Sequence, residues 1–267
     1  MEWWWAYLAI GAAVGFLAGL LGIGGGMVMV PMLFFVFSAK GFPQEQLMHF
    51  ALATGLATIA FTSLSSVRAH HRHQSVDWRV AGAMAPGIVA GSLGAALVAG
   101  FVPTRPLAVF FTAFMFYASA QMFYEAKPVP TRGLPGAAGL FAVGAGIGGI
   151  SSILAAGGAF LSIPFLLRRR PDRVPLRRAI GTAAANGFPI AVAGTIGYVL
   201  HGLRAPDLPA GSLGFVYLPA LGLIVAASIP IAPLGARVAH RLPVRRLRVV
   251  FSLMLLALAL RMLANLW

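Results

Sequence analysis

The chain contains no cysteine and few residues of negative charge. Among its 267 residues, six are aspartate or glutamate and 20 are lysine or arginine, and charged residues make up only 10%. The absence of cysteine excludes disulfides, thiolate catalysis and cysteine-ligated metals. The carboxylates all fall in predicted loops or at segment ends: Glu2, Glu45, Asp77, Glu125, Asp172 and Asp207. No buried acid is therefore expected to relay protons within a membrane.

Hydrophobic residues are abundant instead. They make up 59% of the chain, and the mean hydropathy is +0.86, which is more apolar surface than a soluble domain can bury. Apolar runs of about 20 residues recur along the chain, and that is the length an α-helix needs to cross a hydrocarbon core. The sequence predicts an all-α polytopic membrane protein that forms a single transmembrane domain over residues 1–267.

The positive charge lies between the apolar runs. The formal net charge is +14, but the arginines are distributed over loops rather than on one basic face, so no nucleic-acid partner is predicted. The basic loops, at 68–79, 125–132, 168–178 and 237–248, fall on one side of the predicted topology. The positive-inside rule makes that side cytoplasmic and places both termini on the outer side of the cytoplasmic membrane.

One glycine-rich pattern occurs twice. The segment from Gly15 to Pro31, GFLAGLLGIGGGMVMVP, recurs from Gly148 to Pro164 as GGISSILAAGGAFLSIP. In each copy an apolar run ends at a glycine cluster and a short apolar run containing proline follows. Clustered glycine and proline disfavour a continuous helix, since glycine costs about 1 kcal/mol and proline about 3 kcal/mol in a helix interior. Interrupted apolar segments at corresponding places in two halves are a sequence marker of transporter binding sites.

The duplication predicts two repeats, 1–126 and 133–267, joined by a linker at 127–132. Each repeat is expected to contain a glycine-broken helix hairpin of the re-entrant type and three spanning helices. Because three crossings is an odd number, the two repeats are predicted to be inverted relative to each other.

The helices that begin near Met27 and Ala159 are expected to direct free N–H groups and partial positive charge toward the membrane midplane, which favours an anion. Neutral threonine and asparagine donors would complete the site. The predicted substrate-binding residues are Gly24, Gly25, Gly26, Met27, Thr54, Thr58, Gly157, Gly158, Ala159, Thr182 and Asn186. Two alternatives remain open: backbone packing of the hairpins for the glycines, and hydroxyls bonded to their own helix for the threonines.

The histidines give weaker signals. His49 lies inside a predicted segment and is a candidate coupling or gating residue, with an interfacial position as the alternative. The cluster His70, His71 and His73 favours a solvated basic loop over a metal site. No catalytic residue, metal or cofactor is predicted, because the chain lacks HExxH and GxSxG motifs and an embedded acid. The oligomeric state stays open.

The two hairpin motifs, GLLGIGGGMVMVP and AAGGAFLSIP, together with the duplicated layout, resemble the sulfite exporter TauE/SafE family over nearly the whole chain. The resemblance implies export of sulfite or a related small sulfur anion across a prokaryotic cytoplasmic membrane. Uptake of thiosulfate or an organosulfonate is the alternative, since a helix-end site does not encode direction. A helix-packing subunit would explain the glycines but not their duplication.

Overall fold

A computed structural model describes residues 3–21, 25–123, 133–168, 176–239 and 244–265. The helices are α1 (Trp4–Leu21), α2 (Gly26–Ala39), α3 (Leu47–Arg72), α4 (Trp78–Gly100), α5 (Thr104–Phe123), α6 (Ala137–Ile153), α7 (Ala159–Arg168), α8 (Leu176–Gly202), α9 (Leu218–Ala239) and α10 (Val244–Ala264). A 3₁₀ turn, Gln44–Gln46, precedes α3, and two short strands, β1 (Ser212–Leu213) and β2 (Val216–Tyr217), lie between α8 and α9. The predicted linker 127–132 lies outside the described residues.

Five helices in the described ranges are long and apolar enough to cross a membrane. They comprise α3 with its preceding turn, α4, α5, α8 and the first part of α9, and α3 alone has 26 residues. At 1.5 Å per residue, α3 is about 39 Å long, which exceeds the thickness of a hydrocarbon core. The prediction of a multi-pass helical membrane protein is confirmed.

The core lies around the first half of α3. Every residue from Leu47 to Ile59 is buried, whereas Phe61 and Leu64 in the second half are exposed. Helix α8 packs along α3, α1 packs along α9, α4 packs along both α6 and α8, and α5 packs along α10. Each half of the chain is therefore in extensive contact with the other.

The glycines of α1 allow close packing against α9. A Cβ atom added at Gly11 would lie 2.6 Å from the Ile224 carbonyl oxygen, and one at Gly15 would lie 2.5 Å from the Ser228 carbonyl oxygen. Both distances are shorter than van der Waals contact, so only glycine permits this helix separation.

A second helix pair is built in the same way. A Cβ atom added at Gly144 or Gly148 of α6 would lie 2.5 Å from the carbonyl oxygen of Met84 or Ile88 of α4, respectively. The two glycines of α6 follow those of α1 by one constant interval, and the two contacted residues of α9 follow those of α4 by another. The α1–α9 and α6–α4 contacts are therefore equivalent in the two halves.

The helical run of the second half breaks at its glycine cluster. Between α6 and α7, Ala155 has a φ of 43° and Gly158 a φ of 51°, a left-handed conformation that ends a right-handed helix. Pro31 and Pro164, in contrast, lie inside α2 and α7. In the first half α1 ends at Leu21 and α2 begins at Gly26.

A β-hairpin, which the sequence analysis did not predict, precedes α9. Ser212 pairs with Tyr217 and Leu213 pairs with Val216 in an antiparallel register, and the turn contains Gly214 at a φ of 54°. The Leu218 N–H donates to the Gly211 carbonyl at 3.1 Å and closes the loop. We call residues 211–217 the hairpin.

The basic segment that follows α3 is partly helical. The sequence analysis predicts a loop from Arg68 onward, but α3 continues to Arg72. The next helix, α4, begins after Asp77, whose carboxylate accepts a hydrogen bond from the Val80 N–H at 3.2 Å as a helix N-cap. We call this end of the bundle the arginine end, and the opposite end, where α3 begins at Leu47, the hairpin end.

Candidate functional site

The two glycine-rich breaks lie in contact at the centre of the bundle. A Cβ atom added at Gly26, at the start of α2, would overlap the carbonyl group of Ala155 in the second break. It would also lie 2.6 Å from Cδ1 of Ile59 on α3. A Cβ atom at Gly55, one turn earlier on α3, would lie 3.7 Å from Cβ of Ala155. The starts of α2 and of the second break therefore pack against the same part of α3.

A cavity of about 70 Å³ opens beside this contact. It lies between α1, α3, α8 and the second break, and its lining residues are Ala18, Ile59, Thr62, Ser63, Ser66, Gly157, Ala159, Ala184 and Gly187. On α3 the lining residues start at Ile59, the last residue of the fully buried half, and Thr62, Ser63 and Ser66 belong to the half that leads to the arginine end. Thr62, Ser63 and Ser66 are the hydroxyl-bearing residues of the lining, and Gly157 and Ala159 belong to the glycine-rich chain that enters α7.

The first turn of α7 contributes positive potential to the cavity. The first backbone bond of this turn runs from the Ser162 N–H to the Gly158 carbonyl at 2.9 Å, so the N–H groups of Phe160 and Leu161 precede the helical hydrogen-bond pattern. Aligned peptide dipoles give such a helix start a partial positive charge of about half a unit. With Ala159 in the lining, the cavity lies at the positive end of the helix.

Two of the cavity hydroxyls on α3 form hydrogen bonds with backbone carbonyls of their own helix. Thr62 donates to the Thr58 and Ile59 carbonyls at 3.3 Å each, and Ser63 donates to the Ala60 carbonyl at 3.1 Å. These carbonyls already accept helical N–H groups, so the hydroxyls can rotate toward a bound anion at modest cost. Small neutral donors of this kind hold an anion without trapping it.

Thr54 and Thr182 contact the opposite halves of the chain. The Thr54 hydroxyl accepts a hydrogen bond from the Tyr217 N–H at 3.0 Å, and the Thr182 hydroxyl accepts one from the Asp77 N–H at 3.0 Å. Tyr217 immediately precedes α9 and Asp77 immediately precedes α4. Each threonine therefore fixes the start of the fourth large helix of the other half. Neither alternative in the sequence analysis included this contact.

Thr58 and Asn186 are buried close to the cavity but outside its lining. Thr58 donates to the Thr54 carbonyl at 2.9 Å, so its hydroxyl is bonded to its own helix. Asn186 donates to Oγ of Ser162 at 3.4 Å and lies 3.7 Å from the sulfur of Met84. Its side-chain oxygen has no hydrogen-bond partner within the described parts of the chain.

The remaining predicted positions pack against neighbouring helices. A Cβ atom added at Gly25 would lie 2.5 Å from Cγ1 of Val14, and one at Gly158 would lie 2.9 Å from Cδ1 of Ile190. Met27 is buried, and Gly24 lies outside the described residues. Gly157 and Ala159 are the predicted positions that line the cavity.

The sequence analysis missed the three hydroxyl residues of the lining: Thr62, Ser63 and Ser66. The signal was present, because Thr62 and Ser66 continue the four-residue spacing of Thr54 and Thr58 along one face of α3.

His49 lies in the core beneath the hairpin rather than at an exposed interface. It is 3% exposed, and its Nε2 atom, in the protonated tautomer, donates to the Ala99 carbonyl at 3.1 Å. Its ring centroid lies 5.0 Å from that of Phe215 in the hairpin. His71, in the predicted histidine cluster, accepts a bond from the Trp78 indole at 3.1 Å. Over the described ranges, no group of three or more His, Cys, Asp or Glu residues is arranged to hold a metal.

Long apolar helices and glycine-rich chain breaks that meet inside the bundle are typical of multi-pass membrane transporters. The model of the sulfite exporter TauE/SafE family matches residues 7–262, and the chain belongs to that family.

Three relatives carry the same general description. A probable membrane transporter protein of Haemophilus influenzae is 34% identical over 257 residues, which is 96% of each chain. One of Methanocaldococcus jannaschii is 26% identical over 96% of this chain and 94% of its own. YdhB of Bacillus subtilis, also a probable membrane transporter protein, is 28% identical over 71% of this chain and 76% of its own. No solved structure matches the chain. The family and these names indicate a transporter rather than an enzyme.

Proposed function

We propose that the protein exports a small sulfur oxyanion, sulfite or a close relative, across the cytoplasmic membrane. The observation that carries the proposal is the cavity, whose lining combines three hydroxyl residues of α3 with Gly157 and Ala159 at the start of α7. Hydroxyl donors and a positive helix end favour an anion, and the family name indicates which anion to test. A single water needs about 10–15 Å³ of such space, so the cavity of about 70 Å³ has room for a small oxyanion.

The anion is proposed to bind between the α3 hydroxyls and the chain at Gly157 and Ala159. Three other predicted binding positions, Gly26, Gly158 and Asn186, position the chain around this site without lining it. Gly26 brings the two breaks together, Gly158 lets the second break pack against α8, and Asn186 holds the first turn of α7 through Ser162.

Inversion of the two repeats is part of the proposal. Helices α3 and α8 occupy corresponding places in the two halves, and their contacts run in opposite order. Gly194 of α8 lies beside Leu56, whereas the earlier Gly187 lies beside Ser63. The equivalent α1–α9 and α6–α4 contacts also support a two-fold relation between halves. In such a fold, two broken helices that enter from opposite faces meet near the midplane.

The arginine end is proposed to face the cytoplasm. Arg68 and Arg72 close α3 at that end, and basic residues near membrane spans are retained on the cytoplasmic side. A membrane potential that is negative inside then favours anion exit by about 2.3 kcal/mol per charge per 100 mV. Transport by uniport, driven mainly by voltage, needs no embedded carboxylate.

The test is efflux of radiolabelled sulfite from proteoliposomes that contain the purified full chain. A potassium-diffusion potential, negative inside, is expected to accelerate efflux, and the opposite potential to slow it. Sulfite efflux no faster than from empty liposomes would reject the function. Efflux that ignores the potential would reject the voltage-driven mechanism.

Two neighbouring serines provide a matched pair for the site. Ser66→Ala removes a hydroxyl from the cavity wall, whereas Ser65→Ala removes one that is exposed and outside the lining. We expect efflux to fall at least fivefold in the first variant and to stay near wild type in the second. Equal rates in both variants would place the anion elsewhere.

A further inference from the structure

The hairpin closes the end of the bundle opposite the cavity. Its second half is buried, with Phe215, Val216 and Tyr217 exposed by 2%, 1% and 6%, while Leu213 on the first strand is 48% exposed. The cavity, in contrast, lies beside the partly exposed half of α3. An anion bound there has the hairpin between it and the hairpin end.

Backbone contacts hold the hairpin against α3 and α8. The Thr54 hydroxyl accepts the Tyr217 N–H. A Cβ atom added at Gly202, the last residue of α8, would overlap the Phe215 N–H group, and one at Gly214 would lie 2.5 Å from the Val199 carbonyl oxygen. These contacts join the backbone of the hairpin to α3 and α8, and Tyr217 continues directly into α9.

The side chain of Lys40 adds a second hold on Tyr217. Lys40 follows α2, and its ammonium group donates a hydrogen bond to the Tyr217 hydroxyl. The same group lies 4.2 Å from the centroid of the Tyr217 ring, 5.6 Å from that of Phe42 and 6.0 Å from that of Tyr7. Three aromatic rings thus surround a cation that joins the first half of the chain to the hairpin.

Two histidine rings pack against Phe215. The His49 ring centroid is 5.0 Å away and the His201 ring centroid 6.0 Å away, with interplanar angles of 33° and 24°. His201 also packs edge-on against Phe101 at 4.5 Å. The hairpin therefore occupies an aromatic socket formed by α3, α8 and the end of α4.

The arginine end has a simpler closure. At that end the Thr182 hydroxyl accepts a hydrogen bond from the Asp77 N–H, just as the Thr54 hydroxyl accepts one from the Tyr217 N–H at the hairpin end. The segment before α4 contains no inserted aromatic residue, and Gln74 is exposed. The two ends thus share one backbone contact, and the hairpin end has the aromatic socket in addition.

We propose that the hairpin is the gate at the hairpin end and that Lys40 and Tyr217 form its latch. The gate withdraws from the socket to let the anion leave and returns to seal the bundle. Tyr217 is a positioning residue, since it acts on the anion through the position of the hairpin. This inference deepens the proposed function and rests on it for the direction of passage.

The test uses the absence of native cysteine. Val216→Cys is close to isosteric and places one buried thiol on the inner strand of the hairpin. The reaction of this thiol with a membrane-impermeant maleimide is followed in the detergent-solubilised full chain. We expect slow labelling that becomes at least fivefold faster when Lys40→Met or Tyr217→Phe is added. Leu213→Cys, on the exposed strand, should label rapidly in every background, and Ala118→Cys, fully buried in α5, should stay unlabelled.

Unchanged labelling of the Val216→Cys chain in both latch variants would overturn the gate. Equal acceleration at position 118 would also overturn it, because the loosening would then be global. If the cysteine variant fails to fold, amide hydrogen exchange of residues 211–217 in the Lys40→Met chain supplies the same comparison, with faster exchange expected and no change refuting the latch. No transported anion is present, so the result stands apart from the outcome of the sulfite efflux assay.

Discussion

Replacing Thr54 by valine tests the contact between the halves most directly. The Thr54 hydroxyl is the acceptor for the buried Tyr217 N–H at 3.0 Å, and Thr54 itself has no exposed surface. Valine keeps the shape of the side chain but removes the acceptor, and it leaves the N–H group without a partner inside the protein. Such a loss costs about 1–3 kcal/mol.

This energy converts to a measurable change in hairpin opening. At about 1.4 kcal/mol per factor of ten, the opening equilibrium should shift by roughly 5- to 150-fold. Once the hairpin leaves its socket, water can satisfy the Tyr217 N–H, so the cost acts on the closed state and favours local opening. Amide hydrogen exchange across residues 211–217 should accelerate by that factor, with a smaller effect on the middle of α3.

Thr58 provides the matched control one turn later on α3. It is equally buried, but its hydroxyl donates to the Thr54 carbonyl, which already accepts a helical N–H. Thr58→Val should therefore change stability by under about 1 kcal/mol and leave hairpin exchange unchanged. The reasoning is refuted if the two variants give the same exchange in the hairpin, or if Thr54→Val leaves it at the wild-type rate.

Thr182→Val should loosen the segment before α4 at the arginine end and leave hairpin exchange at the wild-type rate, which exchange mapping of both ends can measure. Gly26→Ala should lower the melting temperature and abolish efflux, because its methyl group overlaps the second break, whereas Gly94→Ala, with open space around it, should leave both unchanged. Replacing Ser119 by valine removes the hydroxyl that bonds to the Ser252 carbonyl at 2.9 Å and to the Ser252 hydroxyl at 3.0 Å. The bond from the Ser252 hydroxyl to the Ser119 carbonyl remains, so the α5–α10 contact should lose about 1 kcal/mol of stability in thermal unfolding.

Local sequence features were sufficient to predict the helices and the position of the second break. Apolar runs indicated the spanning part of α3 but not its last turn, which continues to Arg72. The glycine cluster at Gly157 and Gly158 marked where α7 begins, because glycine and proline act on their own backbone. The close packing at Gly11 and Gly15 also has a local sequence signal, since four-residue spacing of glycine leaves one face of a helix flat.

Contacts between distant segments could not be read in the same way. The partners of Thr54 and Thr182 depend on which loop each helix end meets, and no spacing along one helix encodes that. The hairpin was missed because its strands have two residues each, too few for an alternating pattern to emerge. The cavity hydroxyls of α3 were identifiable by spacing, but their selection over Thr54 and Thr58 depends on where α1 and α8 leave space.

The α1–α9 and α6–α4 contacts have a consequence for biosynthesis. Helix α1 is among the first segments to enter the membrane, yet the surface that its glycines fit is part of α9, which begins at Leu218. At about 5–20 residues per second, α1 waits on the order of 10–40 s for its partner to be made. During that interval its small-residue face is open to other helices in the bilayer. A chain truncated before α9 should therefore be a substrate for membrane quality control rather than a stable half-protein.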